Sequence, residues 1–450
     1  MALEAREQDV RRLIDERPIS KYQWFIFAIL FLVNAADGFD AVAIGFVAPA
    51  LLREWSLTKA ALGPVMSAAL VGLAIGAFGA GPLADRVGRK PVLVGAVLCF
   101  GVFSLLCANA TSVTALTALR FLTGIGLGAL MPNATTLMSE YAPARKRSLL
   151  VNTMMCGFSL GAAGGGVLAA FLIPRLGWQS VFVVGGLIPI VLVAALAALP
   201  ESIRFLVAKG RTGEKLHAVL RRIAPDLILQ NLRVTLPADD ASGRQSGVAI
   251  VLSRPYRQSS ALLWITYFFA LLVYYFITSW LPTMIHDYHY SSRDAALISS
   301  LFTLGGAVGV IGAGWLMDRF NAHRVISSGY ILTAGLLILV GQVSASALWL
   351  APLTFLAGLC MNGALSSCPT LAAKTYPTAG RASGVASMLG VGRLGAMLGA
   401  ATGGTLLQLG LGFDRVFGLL AIPLVVAATA IAMKGAFPRA GSTDVQIQSR

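Results

Sequence analysis

Four charged side chains stand inside long apolar runs: Asp37 and Asp40 in the first, Arg120 in the fourth and Arg393 in the eleventh. A charge at the centre of a membrane-embedded helix costs about 2.5–3.5 kcal/mol on insertion scales, so such a residue marks a pathway or a pair. Asp37 and Asp40 are three residues apart and share one helix face. Two carboxylates so close cannot both ionise cheaply, which suits a group that takes up and releases a proton. The plainer alternative is a structural polar pair satisfied by Arg120. Arg393 has no acid in its own run. Its guanidinium matches a carboxylate through two parallel N–H bonds, either that of a bound organic anion or that of an aspartate in the first run.

These side chains must be positioned by a membrane-embedded scaffold. The chain has 450 residues, 56% hydrophobic and 12% charged, with a mean hydropathy of +0.76. Soluble domains carry about 25% charged residues, so a water-soluble enzyme, a disordered chain and a collagen-like fibre are excluded. Hydropathy places spans near 23–50, 61–83, 91–109, 113–139, 149–173, 178–199, 259–285, 294–317, 325–344, 347–373, 383–407 and 414–433. Their length and unbroken apolarity specify helices rather than barrel strands. The expected fold class is an all-α membrane protein of twelve transmembrane helices in two six-helix bundles.

The net charge of +15 is topological. One set of alternate loops holds Arg86, Arg89 and Lys90; Arg145, Lys146 and Arg147; Arg319 and Arg324; and Lys374 and Arg381. The long middle loop on that side adds Arg204, Lys209, Arg211, Lys215, Arg221, Arg222, Arg233, Arg244, Arg254 and Arg257. The other side offers little beyond Arg53, Lys59, Arg175, Arg293 and Arg415. The positive-inside rule then sets both termini and the middle loop in the cytoplasm, and no nucleic-acid partner is expected. The expected organisation is a tail over 1–22, a bundle over 23–199, a middle loop over 200–258, a second bundle over 259–433 and a tail over 434–450. Residues 1–21 mix acids with arginines and carry no cleavable apolar core, so the first span is expected to remain as an anchor.

The two bundles read as repeats. A shift of 233 residues aligns Pro49 with Pro282, Gly72 with Gly305, Gly76 with Gly309, Gly79 with Gly312, Gly81 with Gly314, Asp85 with Asp318 and Arg86 with Arg319. A shift of 234 aligns Phe121 with Phe355, Gly124 with Gly358, Pro143 with Pro377, Arg147 with Arg381 and Gly161 with Gly395. Repeated halves around a midplane site are the architecture of many secondary transporters. Under these shifts Asp37 and Asp40 fall on Ala270 and Val273, Arg120 on Thr354, and Arg393 on Ser159. Charges kept in only one half are not needed to build a six-helix unit, so they read as site chemistry laid on a duplicated scaffold.

Three motifs carry a resemblance. Gly81-Pro-Leu-Ala-Asp85-Arg86-Val-Gly88-Arg89-Lys90 lies between spans 2 and 3, Arg120-Phe-Leu-Thr-Gly124-Ile-Gly126-Leu-Gly128 in span 4, and Pro200-Glu201-Ser202-Ile-Arg204 after span 6. Together they resemble the signatures of the major facilitator superfamily over nearly the whole chain. Asn34-Ala-Ala-Asp37-Gly38-Phe39-Asp40 looks like the Asp-Gly-x-Asp motif of its aromatic acid:proton symporter family. Thr278-Ser279-Trp280-Leu281-Pro282-Thr283 and Gly390-Val-Gly392-Arg393-Leu-Gly395 are similar to that family too. The resemblance implies uptake of an aromatic carboxylate of the hydroxybenzoate type, such as 4-hydroxybenzoate or protocatechuate, with protons, across a bacterial inner membrane. Matching positions implicated in the family are Asp37, Asp40, Arg120, Glu140, His323, Arg381 and Arg393. The second signature loop, Asp318-Arg319-Phe-Asn-Ala-His323-Arg324, lacks the glycine seen at Gly88.

Span 7 supplies aromatic rings, of which Tyr275 and Trp280 are the candidates for contact with a benzoate ring and its hydroxyl. Asp85, Arg86, Arg89, Glu140, Arg147, His323 and Arg381 form the expected intracellular gate, the alternative being topological charge alone. The five cysteines lie in apolar stretches without a CxxC pair, and the four histidines are scattered, so no metal and no cofactor are expected. Gly157-Phe-Ser159-Leu-Gly161 and the Gly390–Gly395 stretch match nucleophile-elbow and dinucleotide patterns, but without the strand those need. Transport of another organic anion (a sugar acid or dicarboxylate) and efflux antiport stay open. A membrane-embedded enzyme or sensor finds no supporting motif. A monomer is the default.

Overall fold

The structure is a computed structural model, and it describes residues 7–9, 14–15, 17–209, 221–223, 233–235, 247–343 and 346–436. Among the described residues, twelve helices are long and apolar enough to cross a membrane. They are α1 (Lys21–Glu54), α2 (Gly63–Val87), α3 (Arg89–Cys107), α4 (Val113–Tyr141), α5 (Arg147–Leu176), α6 (Gln179–Ala197), α7 (Arg257–Asp287), α8 (Ser292–Arg319), α9 (Ala322–Gln342), α10 (Ala347–Thr375), α11 (Thr378–Gln408) and α12 (Phe413–Ala436). Beside them, Glu7–Asp9 pairs in parallel with Arg233–Thr235. The chain is a multi-pass membrane protein.

Every expected span is a helix, but many bounds differ because caps, not the limits of apolarity, end a helix. Ser20 and Gln23 form a reciprocal capping box, so α1 starts at Lys21 instead of 23 and runs on to Glu54. Ser112, Ser291 and Asn321 each accept a hydrogen bond from a first-turn N–H of α4, α8 and α9. The middle loop is not featureless: Ile203–Ala208 and Gly247–Leu252 are short helices, and α7 begins at Arg257. Arg211, Lys215 and Arg244 lie outside the described residues, as do most of the two tails.

The repeat is visible in the packing. Cβ atoms at Gly72 and Gly76 would collide with the Phe121 and Ile125 carbonyls of α4, and at Gly305 and Gly309 with those of Phe355 and Leu359 in α10. Gly124 meets Ala69 as Gly358 meets Phe302, and Gly161 meets Ala35 as Gly395 meets Phe268. Each pair is related by the same shifts of 233 and 234 residues. Backbone-to-backbone approach at glycine is the means by which helices associate where lipid removes the hydrophobic drive. It sets α1 on α5 and α7 on α11 at the level of the charged residues.

Candidate functional site

α1 and α4 bring Asp40 and Arg120 together at full burial. Arg120 Nη1 donates to both oxygens of Asp40, at 3.0 and 2.8 Å, and Nη2 donates to the Asp40 carbonyl at 3.2 Å. Ser104 of α3 adds a hydroxyl bond to Asp40 Oδ1 at 3.0 Å. The Phe182 ring of α6 lies 5.8 Å from the guanidinium carbon. A buried ion pair holds only when its remaining valences are satisfied. Here Arg120 Nε alone has no acceptor. Arg120 is thus committed to Asp40.

Asp37 is different. It is 3% exposed, and neither an ion pair nor a hydrogen bond holds its side chain among the described residues. Its charged neighbour is Asp40, one turn away, and Tyr275 of α7 is within its electrostatic reach across the two halves. Tyr275 is also within reach of Arg393, as is Tyr267. The Tyr267 ring lies against Gly392, where a Cβ would collide with it. Arg393 is half-buried, and its guanidinium makes no hydrogen bond or ion pair among the described residues. Neither phenol of the tyrosine pair makes a hydrogen bond there either. Two hydroxyls and a guanidinium therefore converge near the middle of the bundle with their valences open.

Trp280 lies elsewhere. It is wholly buried, donates from Nε1 to the Ala400 carbonyl at 2.8 Å, and fills the space left by Gly403. Its ring is part of the α7–α11 seam.

The gate candidates gather at the Gly88 end. Arg89 pairs with Asp85 at 2.8 Å. Glu140 accepts from the Ser202 hydroxyl at 2.6 Å, and Arg147 stands 3.8 Å from Asp15. His323 Nε2 is 3.3 Å from Lys434 Nζ, while Arg86 and Arg381 are exposed. Each of these contacts stays within one half. Sequence reasoning missed the residue that ties two of the motifs together: Glu201 Oε1 accepts from the backbone N–H groups of Arg89 and Lys90, at 2.9 and 3.2 Å, capping α3. Gly88 makes room for it, with φ +108 and a missing Cβ that would strike the Glu201 carboxylate.

Contacts joining the halves cluster at the opposite end. Lys59, just after α1, meets Asp287 at the end of α7 at 2.5 Å. Arg53 Nη2 donates to Ser292 Oγ at 3.1 Å, and Arg293 sits 4.9 Å from the Phe171 ring. Below them Val42, Phe46, Ile277, Leu281 and Phe302, with Thr278, Ser299 and Thr303, line a small space between the halves.

The sequence matches the model of the Major Facilitator Superfamily over residues 30–256 and 263–445. The chain belongs to the Major Facilitator Superfamily. Like its relatives, this superfamily member is a transporter and not an enzyme. It is 49% identical over 436 residues to the 4-hydroxybenzoate transporter of Pseudomonas putida, covering 97% of both chains. It is 46% identical to the gallate transporter of the same organism, covering 95% of both. Among solved structures, a D-xylose-proton symporter superposes with a TM-score of 0.72 at 18% identity, over 94% of this chain and 99% of that one. The xylose transporter of E. coli in an inward open conformation gives 0.70 at 17%, over 94% and 98%. These two likenesses establish the superfamily fold.

Proposed function

We propose that the protein imports a hydroxylated aromatic carboxylate of the 4-hydroxybenzoate type together with protons, by alternating access. The observation that carries this reading is Arg393: a half-buried cation at mid-helix with no anion paired to it among the described residues, faced by two open phenols. A guanidinium there needs a carboxylate, and tyrosine rings and hydroxyls suit a hydroxylated ring. Relatives that carry 4-hydroxybenzoate and gallate support that choice of cargo.

The proton falls to Asp37. Asp40 has its counter-charge in Arg120. Among the described residues Asp37 has no donor, and it sits one turn from a fixed anion, so a second negative charge there is costly. Tyr275, facing both Asp37 and Arg393, links proton and carboxylate sites across the halves. The basic loops support a cytoplasmic Gly88 end at the inner membrane, and in that orientation the contact of Lys59 with Asp287 lies on the outer side. In the outward-facing state Asp37 takes a proton and Arg393 takes the carboxylate. The halves then rock, the network at the Gly88 end opens, and both solutes leave. One proton per monoanion is electroneutral and draws ~1.4 kcal/mol per pH unit. A second proton would add about 2.3 kcal/mol per 100 mV.

The test is accumulation of radiolabelled 4-hydroxybenzoate by cells expressing the chain, with and without a protonophore, beside Asp37→Asn. Protonophore-sensitive uptake lost in the variant is the expected result. Uptake displaced by a sugar acid or dicarboxylate but not by protocatechuate would replace the cargo, and uptake indifferent to the protonophore would remove the protons.

A further inference from the structure

Ser104 is a fully buried hydroxyl on α3. A helical serine ordinarily bonds back to its own i−4 carbonyl. Ser104 instead reaches across to α1 and donates to Asp40 Oδ1 at 3.0 Å, the same oxygen that takes one of the Arg120 bonds. Gly185 of α6 makes room for the Phe39 ring, which a Cβ there would approach to 2.9 Å, and Ser104 Oγ lies at ordinary contact distance from that position, 3.5 Å. The Asp40 carboxylate is therefore gripped from two helices, by a cation and by a neutral donor that has no other partner among the described residues.

We propose that Ser104 is a positioning residue for proton coupling: by holding the Asp40 carboxylate on Arg120 it fixes that charge, and so sets the pH at which neighbouring Asp37 releases its proton. This rests on the symport reading above. The groups that face the pair are few. Arg120 comes from α4 and Asp37 from α1, the Cys107 thiol of α3 is within electrostatic reach of Asp40, and Tyr275 of α7 faces Asp37. α6 has no titratable side chain. α5 packs its Phe158 carbonyl against Gly38, and the titratable side chain it carries near that contact is the half-buried Cys156 thiol. Among these groups the Ser104 hydroxyl is a neutral donor spent wholly on Asp40. Without it the Asp40 charge is less quenched and opposes a second charge on Asp37 more strongly. Asp37 then keeps its proton to higher pH, and release inside is delayed.

The experiment measures uptake of radiolabelled 4-hydroxybenzoate into proteoliposomes across a range of external pH, at saturating substrate. It compares wild type with Ser104→Ala, Ser104→Thr and Ser104→Cys. A hydrogen bond to a charged group moves that group's own titration by about one pH unit, and a smaller part of it reaches Asp37 one turn away. The expected result is a midpoint moved toward alkaline pH by about 0.2–0.5 unit in Ser104→Ala, less in Ser104→Cys, and wild-type behaviour in Ser104→Thr. Ser104→Cys supplies the test if the alanine variant does not fold. A well-folded Ser104→Ala with the wild-type midpoint, or a uniform loss of rate at every pH that threonine does not rescue, overturns the proposal alone. A wild type whose uptake ignores pH overturns it together with symport.

Discussion

Lys59, between α1 and α2, and Asp287, the last residue of α7, lie on opposite halves of the molecule and meet at 2.5 Å. Their side chains are 31% and 40% exposed, so the pair contributes about 0–1 kcal/mol. That is small for stability but shifts a two-state population by up to about fivefold. Lys59→Ala is expected to open the outer side more often. The check is labelling of Ser299→Cys, which lines the apolar seam between the halves, by an impermeant thiol reagent. Labelling should run a few times faster in the Lys59→Ala background, with the native cysteines as the subtracted blank. Equal rates would mean that the pair is incidental.

Arg120→Ala leaves the Asp40 carboxylate buried with one neutral donor. Removing one partner of a buried pair costs about 3–5 kcal/mol, so the variant should melt far below wild type in detergent. The double variant Asp40→Asn with Arg120→Gln, which buries no charge, should recover most of that stability and none of the uptake.

Gly161→Ala places a Cβ on the Ala35 carbonyl and pushes α1 off α5 beside the two aspartates. Overpacking of this kind costs about 1–3 kcal/mol. Gly79→Ala meets nothing within 4 Å and is the control. Thermal melts should separate the two clearly, Gly161→Ala falling and Gly79→Ala staying near wild type.

Glu201→Ala removes the acceptor that caps α3, a loss of about 1 kcal/mol, whereas Glu201→Gln keeps an acceptor oxygen and should retain most of it. Gly88→Ala should be worse than either, because it combines φ +108 with a collision against Glu201. The ranking of melting temperatures checks all three.

What the sequence reveals is uneven, for physical reasons. Spans and repeat are legible because lipid enforces long apolar helices and duplicated glycines keep their carbonyl partners, as Gly161–Ala35 and Gly395–Phe268 do. The membrane-embedded charges are legible because each is costly. Their pairing is not: Asp37 and Asp40 share a helix face, and only the packing of α4 and α3 decides that Asp40 receives Arg120 and Ser104. Ser104 carries no signal, being one serine in an apolar helix. Trp280 shows the converse, an aromatic signal absorbed by the Ala400 carbonyl. Glu201 was visible as a motif but not as the cap of a helix 112 residues away. Lys59 and Asp287 were lost among sparse outer-loop charges, although the 233-residue shift sets Asp287 on Glu54.

Arg393 as the carboxylate clamp is tested most directly in proteoliposomes under an inside-alkaline gradient, by the concentration dependence of 4-hydroxybenzoate uptake in wild type, Arg393→Lys and Arg393→Ala. Two hydrogen bonds to a charged group are worth enough to move KM at least about tenfold. KM should therefore rise tenfold or more in Arg393→Ala and less in Arg393→Lys, and 4-hydroxybenzyl alcohol, which lacks the carboxylate, should not compete with wild-type uptake. Wild-type KM in a well-folded Arg393→Ala, with the alcohol competing as well as the acid, would contradict the assignment.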